Sequence, residues 1–177
     1  MKVLVTGASG FLGKHVIQEL TRLQYTIDTI GRSNTATIVA DISKEVPSLS
    51  KQYDLVVHAA GKAHVVPKTE AEKQEFYDVN LTGTKNLIEA LKNTPSYFIF
   101  ISSVAVDSYG DSKVCAEKII LDWCKKNHVC CTILRLPLLV SEKPPGNLGA
   151  MLRAIRKGYY FNIGGGTAKK SMVLVRD

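Results

Sequence analysis

The stretch Thr6-Gly7-Ala8-Ser9-Gly10-Phe11-Leu12-Gly13 joins an apolar, strand-like run at residues 2–6 to a run with helical spacing of leucine and valine at residues 11–24. Its glycines permit three things at such a junction: a tight turn, close approach of backbone N–H groups to an anion, and close packing of the helix on the strand. The stretch therefore predicts a phosphate-binding turn at the amino end of the first helix. The alternative is an ordinary strand–helix turn.

Strand-like and helix-like segments alternate along the chain. Further apolar strand runs are Thr26–Ile30, Thr37–Ile42, Leu55–Ala59, Tyr97–Ser102 and Cys131–Leu136, and the later helices are Ala71–Lys92 and Tyr109–Asn127. Continuous apolar strands separated by helices indicate a parallel sheet buried on both faces, which is a doubly wound α/β fold.

The pattern changes near residue 141. A short basic helix over Asn147–Gly158, a glycine turn at 164–166 and a strand over Ser171–Val175 follow. We therefore predict a dinucleotide-binding domain at residues 1–140 and the start of a substrate-binding portion at 141–177, with the chain truncated after Asp177.

Composition narrows the classes of function. The chain has 177 residues, 45% hydrophobic and 22% charged, which suits one folded core and excludes disorder. Its net charge of +7 is scattered rather than clustered, which favours a phosphate-bearing ligand over nucleic acid. No apolar run is long enough to span a membrane. The four cysteines have no metal-ligand spacing, and two of them are adjacent, so we expect reduced, mostly buried thiols, no metal site and a cytoplasmic location.

Several motifs follow the glycine stretch in a fixed order. They are Asp41-Ile42, His58-Ala59-Ala60-Gly61, a V-N-x-x-G-T match at 79–84, Ser102-Ser103, Y-G-x-S-K at 109–113 and L-R-x-P at 134–137. As an ordered set they resemble the extended short-chain dehydrogenase/reductase superfamily, in its branch of NAD-dependent epimerases and dehydratases of sugar nucleotides.

The resemblance implies a Rossmann-like fold, NAD or NADP as cofactor, a nucleotide-sugar substrate and a homodimer. The cofactor-binding residues that it implies are Gly7, Ser9, Gly10, Phe11, Leu12, Gly13, Arg32, Asp41, Ile42, His58, Ala59, Ala60, Gly61, Asn80, Tyr109 and Lys113. The substrate-binding residues that it implies are His64, Ser103, Asn147 and Lys170.

The residues after the second strand bear on the choice of cofactor. An acidic side chain there would bind the ribose hydroxyls of NAD, whereas this chain has Gly31-Arg32-Ser33. Arg32 is suited to a 2′-phosphate, which favours NADP slightly, and a solvated loop arginine is the alternative. Asp28 lies within the strand and is expected to point elsewhere.

Catalysis is assigned to Ser103, Tyr109 and Lys113. Tyr109 and Lys113 are four residues apart, so they share one helical face, and the lysine ammonium is expected to lower the pKa of the tyrosine. By the resemblance, Tyr109 is the acid and base and Ser103 binds the same sugar oxygen. Val104-Ala105 stands where 4,6-dehydratases have an acidic pair, which leaves C4 epimerisation or 4-keto reduction.

The connection before Tyr109 is short. Relatives have a long loop over the active site where this chain has only Asp107 and Ser108 between Val106 and Tyr109. We predict that Val106 and Asp107, or a pair within one residue of them, are not bonded neighbours and that a lid segment is missing. If the lid is truly absent, the open pocket favours a non-catalytic dinucleotide-binding module that senses redox state.

Overall fold

The computed structural model describes residues 1–63, 67–144, 146–159, 167 and 169–176. Its contacts divide the chain into two units, Met1–Arg135 and Leu136–Asp177. We had placed the boundary after residue 140, and the assignment of the second unit to substrate binding stays a prediction.

The first unit is built on a six-stranded sheet with the order β3-β2-β1-β4-β5-β6. The strands are β1 (Lys2–Thr6), β2 (Thr26–Gly31), β3 (Ile38–Val39), β4 (Leu55–His58), β5 (Tyr97–Ser103) and β6 (Cys130–Leu136). The pairs β1–β2, β1–β4, β2–β3 and β4–β5 are parallel. The order reverses between β1 and β4, and such a reversal opens a ligand crevice at the carboxyl ends of the strands. The predicted Rossmann-like fold is confirmed.

Helices cover both faces of this sheet. They are α1 (Phe11–Arg22), α2 (Glu70–Tyr77), α3 (Gly83–Ala90) and α4 (Ser108–Lys126). Val3 and Val5 pack in a cluster with Leu20 of α1, whereas Leu4 packs in the larger cluster with Leu87 of α3. Successive residues of β1 thus enter opposite layers, as the continuous apolar run predicts.

The segment from Glu70 to Ala90 differs from the uninterrupted helix that we predicted. A π-helical turn over Asp78–Thr82 separates α2 from α3. Such a turn accommodates one extra residue, and here its central Asn80 is buried. The sequence has no proline or unusual glycine at this point, so helical periodicity alone did not reveal it.

Three smaller expectations were wrong. Helix α1 ends before Leu23, which is 48% exposed, because Gln24 adopts a left-handed backbone with φ of 58°. The strand expected over Thr37–Ile42 is only β3. Of the free cysteines, only Cys124 is fully buried, and Cys130 is exposed at the start of β6.

The second unit contains a parallel pair, β7 (Leu138–Val140) with β8 (Met172–Leu174), and the helix α5 (Gly146–Arg156). Strand β6 ends at Leu136, as the sequence predicts, and β7, which begins directly after Pro137, was not predicted. The predicted glycine turn at 164–166 lies outside the described residues. Within the described ranges, no helix has both the length and the apolar character needed to cross a membrane.

Candidate functional site

The glycine loop is packed so tightly that no side chain fits at Gly7 or Gly13. Gly7 has φ of +73°, and a Cβ atom there would lie 2.6 Å from the backbone of Ala59 and Ala60. A Cβ atom on Gly13 would lie 2.0 Å from the carbonyl oxygen of Gly7. The loop therefore rests on the end of β4, and α1 begins directly above it.

The first turn of α1 is open to an anion. Gly10 is the N-cap residue, no side chain caps the helix, and the first turn has no acidic residue. Ser9 and Gly10 are exposed, while Phe11 and Leu12 are half-buried. Backbone N–H groups and the helix dipole both favour negative charge at such a position. The residues present therefore fit the pyrophosphate of a dinucleotide.

Asp41 and Ile42 follow β3 and are held in place by neighbouring polar groups. The Asp41 carboxylate accepts hydrogen bonds from Ser43 Oγ at 2.6 Å and Ser43 N at 3.1 Å, which lower its pKa against the opposing effect of burial. Ile42 packs close to Gly83, and its carbonyl accepts a bond from Asn86 Nδ2 at 2.7 Å. This pair is therefore fixed to the start of α3.

A cleft of about 300 Å³ opens beside the glycine loop, between α1 and the carboxyl end of β2. Arg32 lines it, as does Lys14, which the sequence had not suggested. Asp28 does not line it, because its carboxylate binds Lys51 Nζ at 2.8 Å and accepts a bond from Tyr53 Oη at 2.9 Å. The expectation that Asp28 points elsewhere is confirmed.

His58 is fully buried at the end of β4, with both ring nitrogens engaged. Its Nδ1 lies 2.6 Å from Thr6 Oγ1, and its Nε2 lies 2.9 Å from Thr84 Oγ1. The Thr84 hydroxyl donates to the carbonyl of Asn80 at 2.6 Å, so Nε2 is the protonated ring nitrogen. Burial and then the Lys113 charge lower the pKa of His58 to about 3. The neutral ring thus positions the adjoining Ala59, Ala60 and Gly61.

Asn80 links the segment after β4 to α4. Its Oδ1 accepts a bond from Lys62 N at 2.9 Å, and its Nδ2 donates to Lys62 O at 3.2 Å and to Ser112 Oγ at 2.9 Å. The Ser112 hydroxyl donates in turn to the carbonyl of Tyr109 at 2.7 Å. Asn80 therefore sets the distance between the segment after β4 and the Tyr109 backbone.

Ser103, at the end of β5, lies near Tyr109 in the first turn of α4, and Lys113 follows one turn later on that helix. The Tyr109 ring packs on Phe76, with 6.0 Å between the ring centroids. Lys113 is 3% exposed, and its Nζ donates to Ile101 O at 3.0 Å and Ala60 O at 3.4 Å. Lys113 thus connects the proposed catalytic helix to the loop after β4.

The electrostatics of Tyr109 correct the sequence prediction. Burial and the Asp107 charge raise its pKa, and only the nearby Ser103 hydroxyl opposes the rise. The Lys113 ammonium instead hydrogen-bonds the backbone carbonyls of Ile101 and Ala60. Burial lowers the pKa of Lys113 itself to about 8, against the opposing effect of Glu117. In the free protein, Tyr109 is therefore a protonated phenol.

Glu117 is a buried carboxylate that the sequence interpretation missed. Its carboxylate accepts a hydrogen bond from Ser102 Oγ at 2.5 Å. It also accepts a bidentate pair of hydrogen bonds from Arg135, from Nε at 3.0 Å and from Nη2 at 2.6 Å. The bonds to Arg135, followed by the Ser102 bond, hold its pKa below the usual range despite burial. The signal was available, since Tyr109, Lys113 and Glu117 are spaced four residues apart on one helix face.

With this geometry established, comparison with known proteins identifies the family. A sequence profile of the NAD dependent epimerase/dehydratase family matches residues 3–177. The chain belongs to this family.

Two curated relatives of the family are 4-epimerases. The UDP-glucose 4-epimerase of Vibrio cholerae is 29% identical over 209 residues, a match that covers 99% of this chain and 63% of the relative. The N-acetyl-alpha-D-glucosaminyl-diphospho-ditrans,octacis-undecaprenol 4-epimerase of Escherichia coli O157:H7 is 29% identical over 201 residues, covering 98% and 59%. This chain thus spans less than two thirds of their length.

Solved structures support the family fold. The UDP-glucuronic acid 4-epimerase of Bacillus cereus, in complex with UDP-glucuronic acid and NAD, matches with a TM-score of 0.81 and 22% identity, over 99% of this chain and 69% of that one. The UDP-glucose 4-epimerase of Thermotoga maritima, with UDP-glucose, matches with a TM-score of 0.79 and 21% identity, over 99% and 70%.

The substrate residues implied by the family resemblance are less well placed. Asn147 is exposed in the first turn of α5, and Lys170 is exposed before β8, both in the second unit. His64 lies outside the described residues. The roles of these three residues stay predictions.

The connection between β5 and α4 is short and exposed. It consists of Val104–Val106, with Val106 98% exposed, and Asp107 caps α4 by accepting a bond from Gly110 N at 3.0 Å. The missing lid segment stays a prediction.

Proposed function

We propose that the protein is a nucleotide-sugar C4 epimerase or 4-ketoreductase that uses a nicotinamide dinucleotide. The observation that supports this proposal is that Ser103 lies near Tyr109, while Lys113 on the same helix binds the carbonyl of Ala60, on which Gly7 packs. The 4-epimerase activities of the Vibrio and Escherichia relatives support it.

Each residue has a separate part in this proposal. The first turn of α1 would hold the pyrophosphate of a nicotinamide dinucleotide, which would supply hydride transfer when bound. Ser103 holds the oxygen on C4 of the sugar, and Tyr109 exchanges a proton with that oxygen. Lys113 fixes the distance between α4 and the loop after β4 through its bonds to Ala60 and Ile101.

The protonation of Tyr109 favours one direction of the reaction. Because burial and Asp107 raise its pKa, the phenol is ready to donate a proton near neutral pH. Reduction of a 4-keto sugar needs a proton donor, whereas oxidation of the 4-hydroxyl needs the phenolate. We therefore expect 4-keto reduction to be the faster half-reaction at neutral pH. Dehydration is disfavoured, since the exposed Val104–Val106 segment supplies no acid or base.

Finer parts of the proposal concern assembly and location. We infer a homodimer in the cytoplasm, with the second unit binding substrate through Asn147 and Lys170. Support for the dimer comes from the family resemblance and from Val114 and Leu121, which are seven residues apart on α4 and are 37% and 49% exposed. Light scattering of the purified protein measures the mass in solution and tests this part.

The test of function is an assay of the full chain with a panel of UDP- and dTDP-hexoses and their 4-keto derivatives. Reduced nicotinamide is followed by absorbance and epimers by NMR. Lys113→Ala is expected to weaken cofactor binding and turnover, while Lys118→Ala, an exposed lysine on the same helix, leaves both unchanged. Binding of a dinucleotide with no turnover of any sugar would support the redox-sensing module instead.

A further inference from the structure

The cleft beside the glycine loop has the character of an anion site. Two cationic side chains line it, Lys14 from the first turns of α1 and Arg32 from the loop after β2. Four hydroxyl-bearing residues line it as well, namely Ser9, Thr29, Ser33 and Thr35. None of the described residues that line the cleft is acidic.

Both cations are available to a ligand. Among the residues that the structure describes, neither Lys14 nor Arg32 forms a salt bridge with a carboxylate. Arg32 contributes to the low pKa of Asp41 only as a neighbouring charge, while the Asp41 carboxylate hydrogen-bonds Ser43. The Ser33 and Thr35 hydroxyls lie 3.0 Å apart, so this loop presents two polar groups at one point.

Gly31 occupies the place where an acid would select NAD. It is the last residue of β2, the position from which a carboxylate accepts bonds from the adenosine ribose. A Cβ atom there would meet only Ala36 Cβ, at an ordinary 3.5 Å. The absence of a carboxylate is therefore not a steric requirement of the fold.

We propose that this cleft binds the 2′-phosphate of NADP and that the protein prefers NADP to NAD. The proposal rests on the proposed function, because it takes the dinucleotide to lie on the glycine loop. Arg32 offers a planar fork for two phosphate oxygens, Lys14 supplies a second positive charge from across the cleft, and the hydroxyls donate to the remaining oxygen. NAD offers these cations no negative group at that position.

Calorimetric titration of the full chain tests the preference. NADP is compared with NAD, and 2′,5′-ADP with 5′-AMP, so that each pair differs by the 2′-phosphate. The phosphorylated member of each pair is expected to bind about 10- to 100-fold more tightly, the effect of one or two charged hydrogen bonds. Inorganic phosphate, as a third arm, is expected to compete only weakly.

Variants assign the effect to residues. Arg32→Ala and Lys14→Ala are each expected to weaken NADP about 10-fold or more and to leave NAD within about two-fold. Arg22→Ala is the matched control, since Arg22 lies at the far end of α1 and pairs with Glu19. Gly31→Asp should reverse the preference, weakening NADP and strengthening NAD. Circular dichroism confirms that each variant is folded.

The outcomes separate this inference from the proposed function. Equal affinity of the wild-type protein for NAD and NADP, or equal losses of both in Arg32→Ala, would overturn the 2′-phosphate assignment. Competition by inorganic phosphate as strong as that by 2′,5′-ADP would make the cleft a general anion site and would also overturn it. Failure to bind any dinucleotide or 5′-AMP would instead refute the proposed function.

Discussion

At the scale of single residues, substitution of Tyr109 distinguishes an effect on turnover from an effect on cofactor affinity. Tyr109→Phe removes the hydroxyl that we propose exchanges a proton with the sugar but keeps the ring that packs on Phe76. Turnover should therefore fall by at least about 100-fold while cofactor affinity changes little. Steady-state kinetics and titration of the cofactor measure the two quantities. Tyr97→Phe is the control, since the Tyr97 hydroxyl lies 2.9 Å from Thr132 Oγ1 on the neighbouring strand β6. Retention of most activity in Tyr109→Phe would remove the tyrosine from the mechanism.

The raised pKa of Tyr109 adds a prediction about pH. Oxidation of a sugar hydroxyl needs the phenolate, whose fraction grows until pH exceeds the raised pKa. The initial rate of oxidation should therefore rise throughout the range from pH 7 to 10, while the rate of 4-keto reduction should not. Initial rates in both directions across this range provide the measurement, and a plateau of the oxidation rate below pH 8 would contradict it.

His58 makes the protein sensitive to acid. Its pKa is about 3 in the folded protein and near 6.5 when unfolded, so the unfolded chain binds an extra proton between these values. The stability that the neutral His58 contributes is present above pH 6.5 and is lost as the pH falls, by about 3 kcal/mol at pH 4.5.

Urea unfolding at pH 7.0 and 4.5 measures this loss, and His58→Gln should be less stable at pH 7 but should show a smaller decrease. A wild-type free energy of unfolding that does not change between these two pH values would show that His58 is not held neutral.

Single residues also show where prediction from sequence succeeded and failed. The orientation of Asp28 followed from its place inside a strand, because strand position fixes which way a side chain points. The raised pKa of Tyr109 could not be foreseen, because it depends first on how deeply the folded chain buries the phenol. The Lys113 ammonium hydrogen-bonds the carbonyl groups of Ile101 and Ala60, which are distant from it in sequence.

At the scale of elements, the buried face of α4 carries two charged side chains, Lys113 and Glu117. Glu117→Gln keeps an acceptor for Ser102 but removes the negative charge that raises the pKa of Lys113. The pKa of Lys113 should then fall below about 8, and any decrease of cofactor affinity at alkaline pH should move to lower pH. Binding of the dinucleotide as a function of pH measures this shift.

Two further variants distinguish positioning from general destabilisation. Glu117→Asp keeps the charge and should restore much of the wild-type pH profile, whereas Glu89→Gln, an exposed change on α3, should not alter it. A pH profile of Glu117→Gln that matches the wild type would show that Glu117 serves only to hold Arg135.

Elements with strong periodicity were predictable and irregular ones were not. The buried strands β1, β4 and β5 followed from continuous apolar runs, since burial on both faces leaves no alternation. Strand β7 was missed because a proline ends hydrogen bonding at one residue without preventing the next residues from pairing. The positive charge of the cleft beside α1 comes from Lys14 and Arg32. Packing of α1 beside β2 brings these two residues together, so the sequence alone did not reveal the pair.

At the scale of the whole molecule, the length of the chain is itself testable. The match to the Vibrio relative extends over 209 residues, whereas this chain has 177, so the relative has residues that this chain lacks. We expect the protein isolated from its source to exceed 19.4 kDa and to carry extra residues near Val106. Intact-mass spectrometry gives the mass. A tryptic peptide running without interruption from Asn93 to Lys113 would show that the lid is absent.

The π-helical turn between α2 and α3 changes which face of the helix the residues on either side of it occupy. An α-helix rotates by about 100° per residue, so absorbing one extra residue turns the two flanks relative to each other by about that angle. On one side Phe76 is aimed at Tyr109, and on the other Leu87 is aimed into the sheet core. Loss of one residue from Asp78–Thr82 would leave Leu87 in its place and swing Phe76 away from the tyrosine. The number of residues in this segment therefore sets the position of Phe76 against Tyr109.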